Sequence, residues 1–294
     1  MMKKSIVLAA VVSLSTLVQA TNIKIATYNI RRAGLEKDVK NLWESRKPMV
    51  FDLINSIAPD VIGFQEVVKN QFDDLRTVLA HYGSFGEPRN MFASGWLQNS
   101  VVKHPSAKDE HNPIFYNKER LELLEYGTFG INPTSTYLPR ACTWGKFRDK
   151  QTGQLFYVYN THLSNTEKGI KGWFVTSAGK TRREQIKMIM HDVTRRTQGL
   201  PVIFMGDLNT NLRGKYKLRI LADAGFVYAR SIAEKVVGSV KTRTGWNNSE
   251  LKSIDHIFIK SPQKSSVALY EVVESPKGVF PSDHRPVVVD VSWK

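Results

Sequence analysis

Apolar positions along the chain form short runs that alternate with stripes at helical spacing. Ile23 to Ile30 reads as a strand. Met49, Val50, Leu53, Ile54 and Ile57 recur at three- and four-residue steps, which puts them on one helical face, and Pro48 is placed to start that helix. Val61 to Phe64 reads as a second strand. Phe72, Leu75, Val78, Leu79 and Tyr82 form another helical stripe, and Ile186, Ile189, Met190 and Val193 a third. Ile114 to Tyr116, Leu155 to Tyr159, Val202 to Met205, Ile257 to Ile259 and Val287 to Val291 are strand-like. Strands alternating with helices predict a layered α/β domain. The stretches Phe115–Phe129 and Thr143–Asn160 read as hairpins, so the sheet is expected to be mixed rather than purely parallel.

The first twenty residues break this pattern. Met1-Met2-Lys3-Lys4 is a short positive start, Ile6 to Val18 an apolar run, and Val18-Gln19-Ala20 a small-residue cleavage site. These are the three parts of a secretory signal peptide, and the run is short for a bilayer span. The expectation is therefore a signal peptide at residues 1–20 and one catalytic domain at 21–294. The protein would be secreted or periplasmic, monomeric, and without stable membrane insertion. The single cysteine, Cys142, excludes an internal disulfide framework, so an exported chain must be held by its core or by bound metal.

Candidate chemistry gathers where apolar runs end. Asn29 closes the first strand, Gln65-Glu66 the second, Asn160-Thr161-His162 the run from Phe156, and Gly206-Asp207-Leu208-Asn209 the run from Val202. Asp255 and Asp283-His284 instead precede their strands. If those two strands run opposite to the others, all six groups meet at one edge. Taken singly, each has an ordinary reading as a turn residue, a helix cap or a satisfied core group. Together they suit a hard divalent cation, Mg²⁺ or Mn²⁺, and a phosphate ester. Carboxylate and amide oxygens are the ligands such ions prefer, and histidines beside acids move or orient protons near neutral pH. The reaction class that uses this set is metal-assisted hydrolysis of a phosphate ester.

In chain order, TYNIR (Thr27–Arg31), PDVIGFQEV (Pro59–Val67), NPIFYNKERLELLEYGTF (Asn112–Phe129), YNTHLSN (Tyr159–Asn165), GDLN (Gly206–Asn209), IDHIFI (Ile254–Ile259) and SDHRPVVVDV (Ser282–Val291) span nearly the whole chain beyond residue 20. With these motifs the chain resembles the endonuclease/exonuclease/phosphatase superfamily. That group includes DNase I-like nucleases, abasic-site endonucleases, neutral sphingomyelinases and inositol-polyphosphate phosphatases. The resemblance implies a four-layer α/β sandwich of two packed mixed β-sheets flanked by helices. It also implies roles. Asn29, Glu66, Asp207 and Asp283 would serve the metal, with Glu66 the principal ligand. Asp207 would orient or deprotonate the attacking water, and Asn209 would hold the phosphate or water. Asp255 would pair with His284, itself a base or a clamp on the phosphate, and whether His284 or Asp207 is the base stays open. His162 matches a histidine that some members use as general acid, and Arg140 a phosphate-contacting position. The chain departs from disulfide-bearing secreted nucleases in having one cysteine.

Charge then tilts the choice of substrate. The formal net charge is +15, and removal of Lys3 and Lys4 lowers it by only two units. Lys168, Lys171, Lys180, Arg182, Arg183, Lys187, Arg195 and Arg196 lie in one stretch, and Arg213, Lys215, Lys217 and Arg219 follow GDLN. Lys168 and Arg182 are the substrate contacts expected from the first group. Such runs are either solvated faces or contacts for phosphates, which supply affinity independent of sequence. Trp173, in the basic segment after the histidine motif, would stack on bases, dip into a lipid interface or tuck onto the core. The expected function is thus a metal-dependent nuclease, with DNA favoured over RNA. The alternative is a phospholipid, sphingomyelin or inositol-polyphosphate phosphoesterase of the same fold, although the long exposed apolar hairpin usual in a sphingomyelinase is not clear in the sequence. A binding protein that has lost catalysis is disfavoured by the complete set of acids, amides and histidines.

Overall fold

A computed structural model describes residues 20–93, 109–133, 138–165, 178–211, 219–248, 252–276 and 278–293. Its elements in chain order are β1 (Thr21–Asn29), α1 (Trp43–Ile57), β2 (Val61–Gln65), α2 (Lys69–Val78), β3 (Tyr82–Phe85), β4 (Ile114–Asn117), β5 (Leu121–Gly130), β6 (Ala141–Asp149), β7 (Leu155–His162), α3 (Ala178–Thr197), β8 (Val202–Asp207), α4 (Arg219–Asp223), β9 (Val227–Tyr228), β10 (Ala233–Val237), β11 (Asp255–Lys260), β12 (Ser265–Val272) and β13 (Val287–Trp293).

The strands form two mixed sheets. One has the order β10-β12-β13-β1-β2-β4-β3, the other β5-β6-β7-β8-β11-β9. Their facing sides share a core that includes Ile23, Ile25, Phe156, Val158, Ile203, Met205, Val289 and Trp293. On the outside of the first sheet, Ala26, Tyr28, Ile62 and Phe64 pack on Val50 and Ile54 of α1 and Leu75 of α2. On the outside of the second, Tyr157, Tyr159 and Phe204 pack on Ile186, Ile189 and Val193 of α3. The result is the four-layer α/β sandwich that the motifs imply. Central strands buried on both faces explain why β2 and β8 read as unbroken apolar runs instead of alternating ones.

Strand direction positions the site. β7 and β8 run parallel, with His162 opposite Asp207, and β1 and β2 run parallel, with Asn29 opposite Gln65. β11 is antiparallel to β8, which sets Asp255 opposite Asp207, and β13 is antiparallel to β1. The reversal of these two strands, expected from their leading acids, brings all six groups to one edge of the sandwich.

Three expectations need correction. Phe115–Phe129 is not a hairpin: β4 lies between β2 and β3 in one sheet while β5 pairs with β6 in the other. Both edges of β4 are taken, so the chain crosses to the second sheet at residues 118–120. The other hairpin, β6 with β7, does form. Helix α1 starts at Trp43, and Pro48 sits inside it. Burial of Trp43 and Arg46 extends the apolar stripe one turn earlier and offsets the bond that proline cannot make. The stripe ending at Tyr82 splits, since α2 stops at Val78 and Tyr82 opens β3. Strand β12 escaped the pattern because its pairing slips between Val267 and Leu269, which breaks the two-residue period.

Candidate active site

The site is built on the ends of β1, β2, β7 and β8 and the starts of β11 and β13. Strand β8 can approach β7 this closely because of Gly206, whose φ is +141° and where a Cβ would lie 1.9 Å from the Thr161 carbonyl oxygen. Beneath the site, the buried Asn160 side chain ties the sheets together. Its amide donates to the Phe64, Asn112 and Pro113 carbonyls at 2.9, 3.1 and 3.0 Å, and its Oδ1 accepts from Gln65 Nε2 at 2.7 Å. Gly63 leaves room for it, since a Cβ there would come within 2.6 Å of Asn160. Arg31, Glu66 and Asn209, each just past a strand end, take left-handed backbone at φ 58°, 61° and 48°. Such backbone costs on the order of 1–3 kcal/mol per non-glycine residue and persists where the surroundings over-determine it.

Asp207 is the hub. Its carboxylate accepts from Asn29 Nδ2 at 3.1 Å and from the Asn209 amide N–H at 2.9 Å. His162 Nε2 lies 3.5 Å away and His284 Nε2 3.9 Å away. Asn29 Nδ2 also donates to Glu66 Oε1 at 3.2 Å, so one amide nitrogen stands between two carboxylates from different sheets. Glu66 further accepts from the Arg32 N–H at 3.2 Å and lies 3.7 Å from Arg31. Asp255 holds His284 through Nδ1, at 2.9 and 3.1 Å to its two oxygens. Asn209 Nδ2 donates to the Leu163 carbonyl at 3.0 Å. Asp283 is buried beside His284, with Oδ1 unpartnered among the described residues and Oδ2 3.8 Å from Arg243.

Burial sets the protonation states. Burial, then the Asp255 charge, pushes the Asp207 carboxyl up to about 7 against the pull of His284, the Asn209 N–H and Asn29. Burial alone would lower the His284 imidazole, but Asp255, Asp283 and Asp207 overcome it and raise it to about 10, so His284 is a cation at neutral pH. His162 is the opposite case. Burial, then the Arg140 and Arg89 guanidiniums, hold it well below its usual range, so its ring is neutral. Arg140 is itself lowered to about 10 by burial and by Arg89, which leaves it charged at pH 7.

Asn29, Glu66, His162, Asp207, Asn209, Asp255 and His284 therefore form one connected group, with Asp283 at its border. Arg140 lies close enough for its charge to bear on Asp207, Glu66 and His162, and its Nε and Nη1 are buried without partners among the described residues. Arg182 Nη1 donates to the Ser164 and Asn165 carbonyls at 2.9 and 3.4 Å. Lys168, Lys171 and Trp173, and likewise Arg213, Lys215 and Lys217, lie outside the described residues.

Two supports went unnoticed in the sequence. Arg46, fully buried between the rings of Trp43 and Trp246, donates to the carbonyls of Ile30, Arg31, Asn41 and Pro281, which staples the loop after β1 to the loop bearing Asp283 and His284. Its signal was a charged residue in step with Val50 and Ile54 on the apolar stripe. Glu110 is gripped by Arg89 at 2.6 Å and Arg32 at 3.1 Å and acts on Arg140 from behind. It lies four residues before β4, whereas Asp255 is the first residue of β11.

Asp207, Asp255 and His284 offer ligand atoms within 4.8 Å of one another, a group that could hold a metal. His284 is already engaged by Asp255 and positively charged. The carboxylates of Glu66 and Asp207, bridged by a single amide nitrogen, fit a hard cation better.

These features belong to a known class. The model of the Endonuclease/Exonuclease/phosphatase family matches residues 26–284, and the chain belongs to that family, whose members are hydrolases of phosphoesters that typically use a divalent metal. A solved structure of a family member from Bacteroides vulgatus superposes with a TM-score of 0.77 at 28% identity, covering 93% of this chain and 100% of that one. A mannosyl-6-phosphatase from Bacteroides thetaiotaomicron shares the fold, with a TM-score of 0.74 at 24% identity over 92% of this chain and 99% of that one. Nocturnin from Drosophila melanogaster is 25% identical over 169 residues, 57% of this chain, and the chain spans about a quarter (24%) of its length.

Proposed function

We propose that the protein is a divalent-metal-dependent nuclease, using Mg²⁺ or Mn²⁺, that hydrolyses phosphodiester bonds of nucleic acid, DNA in the first place. The observation that carries this reading is the geometry around Asp207: Asn29 Nδ2 joins it to Glu66 at 3.1 and 3.2 Å, His162 and the Asp255-held His284 flank it at 3.5 and 3.9 Å, and burial raises its carboxyl to about 7. A general base works best when its proton affinity matches the operating pH. Asp207 takes the proton of the attacking water, the new oxygen–phosphorus bond forms, the ester bond breaks, and the departing oxygen is re-protonated from solvent. His284, fixed by Asp255, is the cation that clamps the phosphoryl oxygens. Asn209 and Arg140 hold the phosphate, and Arg140's Nε and Nη1, without partners among the described residues, are donors for it. Glu66, Asn29 and Asp207 would hold the metal, with Asp283 in support. A divalent cation there supplies charge to a phosphoryl oxygen.

Nucleic acid is favoured over a small ester by the net charge of +15 and by the cations of α3. We further propose that the protein acts after export, as a monomer. In support, β1 starts at Thr21, the expected first residue after cleavage, which is buried and paired with Trp293. The rival reading is a sugar- or lipid-phosphate phosphatase. Purified protein is offered plasmid DNA, single-stranded DNA, RNA, mannose 6-phosphate, sphingomyelin and inositol phosphates, with Mg²⁺ or with EDTA. Metal-dependent cleavage of DNA, lost in Asp207→Asn, is expected. Release of phosphate from the small esters with nucleic acid untouched would overturn the nuclease reading.

A further inference from the structure

The chemistry above leaves unused a groove of about 500 Å³ between α3 and the edge strand β5. Phe129 of β5 and Met188 of α3 give it apolar walls, Lys187, Arg195 and Arg196 give it positive charge, and His191 lies among them. The acid in its lining, Asp192, is already committed. It accepts from Arg196 at 2.7 and 2.9 Å and from the Tyr159 hydroxyl at 2.9 Å. Arg196 is also stacked 3.7 Å over the Trp144 ring, which fixes that side. Lys187 meets Glu184 only as an exposed pair, a weak interaction in water. Arg195 is exposed and has no acidic partner among the described residues. Met188 is 38% exposed, an unusual apolar surface to set among cations.

Cations that follow a backbone beside apolar faces that take bases are the means by which proteins hold single-stranded nucleic acid. The position of the groove fits that occupant. Phe129 is opposite Cys142, Cys142 opposite Thr161, and Thr161 opposite Gly206, next to Asp207. Three strand spacings of about 4.8 Å therefore separate the groove mouth from the Asp207 strand, roughly 14 Å. We propose that this groove is an exosite for a single strand of nucleic acid that leads away from the scissile bond. The proposal rests on the nuclease reading and adds that long strands are preferred over short ones.

The test compares the full chain with Lys187→Gln/Arg195→Gln and with a control, Lys235→Gln/Lys264→Gln. The control removes the same charge from exposed positions on β10 and before β12, in the other sheet or at its border. Binding of a fluorescent single-stranded DNA 12-mer is followed by anisotropy in EDTA, and hydrolysis of bis(p-nitrophenyl) phosphate with Mg²⁺. The groove variant is expected to bind the 12-mer roughly tenfold more weakly. Its plot of log affinity against log salt should be shallower by about 1.4, at about 0.7 per phosphate contact. Hydrolysis of the small ester should stay within about twofold of wild type, and the control should bind as wild type does. Equal binding by groove variant, control and wild type overturns the exosite even if DNA is cleaved. A wild type that hydrolyses the small ester yet neither binds nor cuts the 12-mer overturns the nuclease reading and the exosite with it.

Discussion

Two buried aspartates end strands of the same sheet at opposite edges of the sandwich, and they are treated differently. Asp149, at the end of β6, accepts from Arg120 at 3.0 Å, the Thr21 and Thr152 hydroxyls at 3.1 and 2.8 Å, and the Gln151 N–H at 2.9 Å. Its oxygens are saturated by a full cation and neutral donors from its own chain. Asp207, at the end of β8, receives among the described residues only Asn29 and the Asn209 N–H at hydrogen-bond distance, with two histidines farther off. It is as buried as Asp149, at 2% exposure against 0%, so what sets it apart is its few donors and the Asp255 charge beside it. A carboxylate that braces a fold is given every partner it can use. One that is left short of them keeps its proton affinity near neutral and has room for a cation and a substrate.

The contrast breaks first at the level of rate. Asp207→Asn should lower kcat by on the order of 10² to 10⁴-fold, the usual worth of a general base, while the melting temperature holds or rises. Asp149→Ala should do the reverse. Taking out the fully buried Asp149 carboxylate deprives Arg120 and two hydroxyls of that partner and costs about 3–5 kcal/mol of stability, read by denaturant unfolding, with kcat of the folded enzyme within about twofold of wild type. A third effect separates the two edges by ligand. Mg²⁺ at a hundredfold over its Kd should stabilise the wild type by about 2.7 kcal/mol, an increment lost in Glu66→Gln and kept in a milder Asp149→Asn.

The smallest effect is the pH dependence of the metal-free protein. The Asp207 carboxyl rises from an ordinary 3.8 to about 7 on folding, so the folded chain holds the proton more tightly. Its contribution to stability is full below about pH 4 and is lost as pH rises through 7. Wild type should thus lose stability relative to Asp207→Asn across that window. A flat difference between the two melting curves against pH would remove the basis for treating Asp207 as distinctive.

Much of this edge was legible from residue order alone, because each acid or amide abuts an apolar run and strand ends are where side chains converge. The direction of β11 and β13 followed from their acids coming first. What stayed hidden depends on tertiary partners. Nothing local says that β4 already has neighbours on both sides and cannot pair with β5. Arg46 looks like one more charge beside Glu44 and Lys47 until the fold turns it inward. Arg89 sits in a stretch without periodicity, and its role appears only when Glu110 arrives from residues away to meet it. The bulge in β12 hid a strand by shifting its apolar positions out of step.

The central claim is that burial and the neighbouring Asp255 charge, opposed by few donors, hold Asp207 near neutrality, and it can be read directly. Carbon-13 NMR of the aspartate carboxyl groups in metal-free protein, with Asp207→Asn used to assign the resonance, gives the titration midpoint of that one side chain. A midpoint near 7 is the predicted result. A midpoint near the ordinary 3.8 would contradict the account, because the carboxylate would then be as well satisfied as a structural one.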